Sequence, residues 1–267
     1  MKLNQLLENF NKDGFIIIKN IIDEELIYDF QFDLKNLIKS SLLKAGIKKN
    51  YSESDLFDSA MMEIESIDHE YVASIYDTIF QTPSFMRLIS SKKIENIVKK
   101  LLNNSLTSLY GFTNRCRIDF PRNNSRTYGW HQEVFYTIPK TSYIQSWAPL
   151  VHPSTVENGT IEIAIGSHKE NIAKQSWNDI EGRATQIIIE DSVISKYQKS
   201  HILISPGDLL LFSGYLAHRS GDNLSKQVRY SLVGMYHDVQ DENFYSPKIS
   251  FDFRKQTPQQ YFKEVFG

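Results

Sequence analysis

The sequence has a single cysteine, Cys116, in 267 residues. One thiol closes no internal disulfide and builds no multi-cysteine zinc or iron–sulfur site. An excess of charge is also missing: 30 Lys and Arg stand against 32 Asp and Glu, a net of −2. Nothing in that balance calls for a polyanion, so no nucleic-acid partner is expected. Long apolar runs are absent. Stretches such as Phe15 to Ile18 and Leu209 to Phe212 fall far short of the roughly 20 residues a membrane helix needs, so no membrane partner is expected either. The opening MKLNQLLENFNKDGF places acids and amides where a secretory leader would be greasy. These absences together predict a soluble, cytoplasmic protein. Disorder is excluded as well, because 41% hydrophobic residues are enough to build a core.

What is present changes character near residue 105. Before it, apolar residues recur at three- and four-residue steps. Asp23 precedes a helix predicted over Glu24 to Ala45, stopped by Gly46. Further helices are predicted from about Ile67 to Gln81 and from about Ser84 to Leu102, and a strand over Gly14 to Ile22 (GFIIIKNII). After residue 105 the period shortens to two. Cys116, Ile118 and Phe120 alternate with Arg115, Arg117 and Asp119. Ile161, Ile163 and Ile165 alternate likewise, and Pro206-Gly207-Asp208 turns the chain into Leu209 to Phe212. About eight short strands with no long helix between them predict a β-sandwich or barrel rather than a parallel βαβ fold. The expected whole is one domain, 1–267, mainly β. It has a helical part over about 1–105, a β core over about 106–240, and an irregular extension over 241–267 ending in a short helix near Gln259 to Val265.

Seven histidines carry the question of chemistry. Residues i and i+2 on a strand share a face about 6.6 Å apart, which suits paired metal ligands. His131-Gln132-Glu133 and His168-Lys169-Glu170 both have the spacing. About one such triplet is expected by chance, so the surroundings must choose. The first lies in an aromatic, β-prone stretch between Trp130 and Tyr136; the second follows a Gly-Ser turn and reads as a loop. His218 supplies a third donor, and Arg229 follows on the next strand. A hairpin through Gly221-Asp222-Asn223 would point both into one cavity. Two imidazoles and one carboxylate on one face of a metal leave positions open for an oxo-acid and O₂. A guanidinium nearby suits that acid's far carboxylate.

The ordered set GFIIIKNII, Trp130-His131-Gln132-Glu133, Ser146-Trp147-Ala148-Pro149-Leu150, Asn158-Gly159-Thr160, Gly166-Ser167-His168, Pro206-Gly207-Asp208, and His218 with Arg229 resembles the phytanoyl-CoA dioxygenase-like family, over roughly residues 8 to 235. The resemblance implies a double-stranded β-helix and an Fe(II)- and 2-oxoglutarate-dependent dioxygenase that uses O₂ to hydroxylate a small molecule, releasing succinate and CO₂. It implies that His131, Glu133 and His218 hold iron, that Arg229 grips the distal carboxylate of 2-oxoglutarate, and that Ser220 adds a hydrogen bond to it. Gln132 and Trp147 match positions lining the pocket, and Tyr136 would face the substrate. His168 falls in the family's Gly-Ser-His turn and is no iron ligand.

Two departures matter. Glu133 stands where the family usually has Asp, one methylene shorter with the same ligand chemistry. Related halogenases lose this carboxylate, so keeping it favours hydroxylation. Many relatives also place a Lys on the strand before the metal site; here Arg117 either takes that place or is a salt-bridged residue, the plainer reading. Trp147 is equally a core aromatic, and Cys116 reads as a small buried hydrophobe. Ser213 and Ser220 lie in no Gly-x-Ser-x-Gly elbow, which argues against a hydrolase. The acid-rich segment 50–83 is expected to form a lid or substrate wall; with no basic cluster for a CoA phosphate, a smaller polar or lipid-like metabolite is favoured. The rival readings are a cupin-like metal-dependent isomerase or epimerase, a metal-free sugar-binding module, and a non-catalytic binder of 2-oxoglutarate.

Overall fold

The computed structural model describes residues 3–104, 106–109, 114–136, 141–178 and 186–244, with residues 260 and 263 beyond them. The expected helix near Gln259 to Val265 therefore lies almost wholly outside the described residues, as does most of the extension.

The N-terminal part is helical, as its periodicity predicts, but its boundaries follow capping chemistry. Helix α1 covers Leu3–Asp13, strand β1 covers Phe15–Ile18, and α2 covers Glu24–Lys44. The predicted helix near Ile67 starts at His69, because the Asp68 side chain accepts from the Glu70 N–H. It runs to Ile79 as α4, preceded by a π-turn over Leu56–Ala60 and by α3 over Met61–Ile67. The single helix expected from Ser84 to Leu102 is two: α5, Pro83–Ile89, and α6, Lys92–Leu101. Ser91 breaks it by turning its hydroxyl onto the Ile94 N–H as an N-cap, while Thr82 caps α5 ahead of Pro83.

The remainder is antiparallel sheet. The strands are β2 Thr107–Leu109, β3 Arg115–Asp119, β4 Tyr143–Pro149, β5 Ile161–Ala164, β6 Gln175–Asn178, β7 Gln186–Ile189, β8 Lys199–His201, β9 Leu209–Ser213, β10 His218–Ser220 and β11 Arg229–Asp238. A short helix, α7, covers Asp191–Ile194. One sheet runs β1-β9-β4-β11-β2, with β3 also paired to β11. A second is β10-β5-β8, and β6 pairs with β7. The expectation of a mainly β chain is corrected to a mixed one, 38% helical and 22% strand. The added helical residues are those of α1, which precedes β1, and of the π-turn with α3 ahead of α4.

Period two explains why the larger sheet has two different faces. Cys116, Ile118, Tyr230, Leu232 and Tyr236 join Phe30, Leu34, Ile64, Ile75 and Phe85 of the helices in one buried core. The alternate residues of β3, β4 and β11 face the second sheet. There Trp147, Phe212 and Val233 meet Ile161 and Ile163 in another core. Segment 50–83, expected as a lid or substrate wall, buries Leu56, Met61, Ile64, Val72 and Ile79 in the helical core. Gly14, at φ +85°, packs so closely that a Cβ there would run into the His168 ring. Among the described residues no helix is long and apolar enough to cross a membrane.

Candidate metal centre

His131 and His218 face each other across a narrow antiparallel bridge. Each gives its backbone N–H to the other's carbonyl at 3.0 Å. That pairing brings the two ring centroids to 4.3 Å. Each Nδ1 lies on a backbone carbonyl, His131 on Gly129 at 2.7 Å and His218 on Leu216 at 2.9 Å. A carbonyl can only accept, so Nδ1 carries a proton in both rings and Nε2 is the atom each ring turns to the cavity. Both Nε2 atoms turn towards Glu133, whose Oε2 is 3.8 Å from either one. One ligand atom from each of the three residues lies within 4.8 Å of the others. Donors this close, converging from three directions, could hold one metal ion between them.

The expected strand face is not how this is achieved. Glu133 opens a 3₁₀ turn, Glu133–Phe135, rather than continuing a strand from His131. Nor do His218 and Arg229 share a hairpin: β10 belongs to the small sheet and β11 to the large one. Residues 221–228 cross between the sheets, pinned by Asn223, which donates to the Gln227 and Asp119 carbonyls. The two residues still meet in one cavity, because the sheets face each other.

That cavity has a volume of about 300 Å³. His131, Glu133, His218, Arg229, Ser220, Trp147, Tyr136 and Arg117, all anticipated from sequence, line it. Gln132, expected there as well, does not. Its fully buried amide donates to the Asn171 and Tyr215 carbonyls and accepts from the Ala173 N–H, so it ties loops together behind the metal strand. Trp147 satisfies both of its readings, lining the cavity and belonging to the core between the sheets. His168 sits away from the centre, on the Asn11 carbonyl.

The charges are arranged for a divalent cation and an anion. Burial pushes the Glu133 carboxyl up, but the His131 and His218 imidazoles outweigh it and hold the group at about 2. Burial, with His131 beside it, lowers His218 to about 3. At neutral pH the acid is therefore charged and His218 neutral, the forms that bind metal. Arg229 lies buried, with Nη2 on Asp119 at 2.9 Å and Nη1 on the Asn158 carbonyl at 3.3 Å. Its Nε is buried with no partner among the described residues. Asp119 also holds Arg117, at 2.8 Å. Burial would raise the Asp119 carboxyl, but the two guanidiniums hold it well below the carboxylate range. The Tyr136 hydroxyl accepts from the Ile187 N–H at 2.9 Å, and burial raises its pKa.

Sequence reasoning missed Tyr128, Gln145 and Asp119. Tyr128 packs on His131 at 5.4 Å and edge-on to Tyr136 at 6.0 Å. Gln145 donates from Nε2 to Glu133 Oε2 at 3.2 Å. For the latter two a signal existed: Gln145 is two residues before Trp147 and Asp119 two after Arg117, so each shares its neighbour's sheet face.

A family model described as "Phytanoyl-CoA dioxygenase (PhyH)" matches residues 10–231. Peroxisomal phytanoyl-CoA dioxygenase of Bos taurus is 21% identical, covering 86% of this chain and 67% of its own length. The 1-deoxypentalenic acid 11-beta-hydroxylase of Streptomyces arenae is 23% identical, covering 81% and 73%. Among solved structures, the epimerase SnoN in complex with Fe3+, alpha ketoglutarate and nogalamycin RO superposes with a TM-score of 0.62 at 15% identity, covering 94% of this chain and 92% of that one. EctD from S. alaskensis with 2-oxoglutarate and 5-hydroxyectoine superposes at 0.60 and 16%, covering 90% and 77%. The fold is shared with both.

Proposed function

This chain belongs to the phytanoyl-CoA dioxygenase family and is an enzyme of that class, and from that premise we propose that it hydroxylates a C–H bond of a small organic metabolite, using Fe(II), 2-oxoglutarate and O₂. The convergence of His131, Glu133 and His218 on one point carries the reading. The two facing antiparallel sheets support a double-stranded β-helix as the frame.

The residues fit the groups the reaction needs. Two imidazoles and one carboxylate would hold Fe(II) without saturating it. The buried Arg229 Nε, without a partner among the described residues and on the cavity wall, suits a carboxylate. Iron and 2-oxoglutarate bound here supply oxidation of a substrate C–H by O₂, with succinate and CO₂ as coproducts.

The chain's own part is binding, orientation and exclusion of water. Gly129 and Leu216 keep the two imidazoles in the metal-binding tautomer through their carbonyls. Asp119 and the Asn158 carbonyl hold the Arg229 guanidinium, which receives the distal carboxylate of 2-oxoglutarate. Ser220 adds a hydrogen bond to that carboxylate, and Arg117 contributes positive field from the opposite strand. Trp147 forms an apolar wall. Tyr136 offers the substrate its ring face, since its hydroxyl is committed to Ile187.

Anaerobic addition of Fe(II) and 2-oxoglutarate should produce the visible charge-transfer band of the chelate, and a turned-over substrate should gain one oxygen atom as succinate appears. Purified protein with neither metal-dependent 2-oxoglutarate binding nor succinate formation would rule the reading out. An isomerase or epimerase on the same site would leave the substrate's mass unchanged, not one oxygen heavier.

A further inference from the structure

Gln145 sits beside the metal centre with half of its amide unused. It lies on β4, is 5% exposed, and lines the cavity. Its Nε2 donates to Glu133 Oε2 at 3.2 Å. A carboxylate oxygen only accepts here, so this contact settles which end of the amide is nitrogen. The other end, Oε1, is then fixed as well, and it is buried with no partner among the described residues. Directly across the ladder stands Met235, which has no side-chain donor. Buried acceptors are almost always paired, because leaving one unpaired forfeits its hydration without return.

An acceptor of this kind, one amide width from a metal-binding carboxylate, is placed to read a substrate. Resting on the iron and 2-oxoglutarate reading of the site, we infer that Gln145 determines specificity: its carbonyl oxygen accepts a hydrogen bond from a hydroxyl or N–H carried by the substrate close to the carbon that is oxidised. The substrate class is then an alcohol or amide rather than a bare hydrocarbon chain. A bare chain would bury Oε1 without a donor in the complex too. The Glu133 contact keeps the amide from flipping, so the site offers an acceptor and no donor at that point. Compounds presenting only an acceptor there are rejected.

The test uses the protein loaded anaerobically with Fe(II) and 2-oxoglutarate. It is titrated with matched pairs, each a small alcohol or primary amide and its O-methyl or N,N-dimethyl counterpart. Binding is read as the shift of the chelate's visible band. The donor-bearing member should bind at least about tenfold more tightly than its masked partner, since a site built around a buried hydrogen bond rejects the analogue lacking it. Gln145→Met keeps the length without the polar atoms and should level the pairs. If that variant does not fold, Gln145→Leu takes its place. Equal binding of masked members, a preference that survives the substitution, or no binding by any donor-bearing compound overturns the inference. A normal chelate band with level pairs sinks this inference alone; an absent band in the unmutated protein sinks the metal reading and this inference with it.

Discussion

Asp119 stands directly opposite Arg229 in the ladder between β3 and β11 and accepts its Nη2 hydrogen bond at 2.9 Å. The same carboxylate holds Arg117, so one buried acid serves two buried or half-buried guanidiniums. Breaking such a pair from one side leaves an uncompensated charge, at a cost of about 3–5 kcal/mol. Asp119→Asn should lower stability by that order, and should weaken 2-oxoglutarate binding as Arg229 loses its fixed plane. Denaturant titration and chelate-band titration measure the two effects. A variant as stable as the parent would remove the account.

The same residue fixes a pH dependence. Its folded-state pKa is depressed, so its contribution is complete above the unfolded value of about 3.9 and is lost as pH falls through the folded value. Stability should decline below about pH 4, and the decline should be shallower in Asp119→Asn. Parallel slopes in the two proteins over an acid denaturation series would contradict this.

His131→Ala should abolish Fe(II) binding and the chelate band, because no second imidazole stands in its place. His168→Ala should leave both intact, since that ring lies on the Asn11 carbonyl away from the centre. Anaerobic metal titration separates the two, and a band that survives His131→Ala would dismiss the triad.

Gln132 offers a contrast with the wall residues. Its amide makes three hydrogen bonds inside the protein and none to the cavity. Gln132→Ala should cost about 2–4 kcal/mol of stability, while the folded fraction binds 2-oxoglutarate as tightly as the parent. Weakened cosubstrate binding at unchanged stability would return Gln132 to the pocket.

Cys116 is fully buried in the helical core, and burial pushes its thiol well above the usual range. A thiol held protonated and covered is inert. It should ignore an aromatic disulfide reagent in the native protein and react stoichiometrically after denaturation. Rapid native labelling would show that the core opens there.

Much of the site was legible before any coordinates. The ligand types, their order and the positions of His131, Glu133, His218 and Arg229 are chemical facts of the sequence. So is the alternation that sends Cys116 and Ile118 one way and Arg115, Arg117 and Asp119 the other. The helix break at Ser90-Ser91 was hidden, because a serine hydroxyl competes for the backbone only once its rotamer is known. Gln132 was misplaced for a related reason: adjacency to a ligand on the chain says nothing about direction once the strand gives way to a 3₁₀ turn at Glu133.

The amino-acid order by itself determined which groups were available: two imidazoles, an acid, a guanidinium, and a period-two pattern able to carry them on sheets. Local chemistry decides these things, and it is written residue by residue. Only the tertiary structure decided that His218 and Arg229 approach from opposite sheets, that Asp119 ties the arginines, and that Gln145 keeps a bare carbonyl beside the centre. Those are contacts between segments up to 110 residues apart, set by how two sheets pack face to face, and such packing has no local signature in the chain.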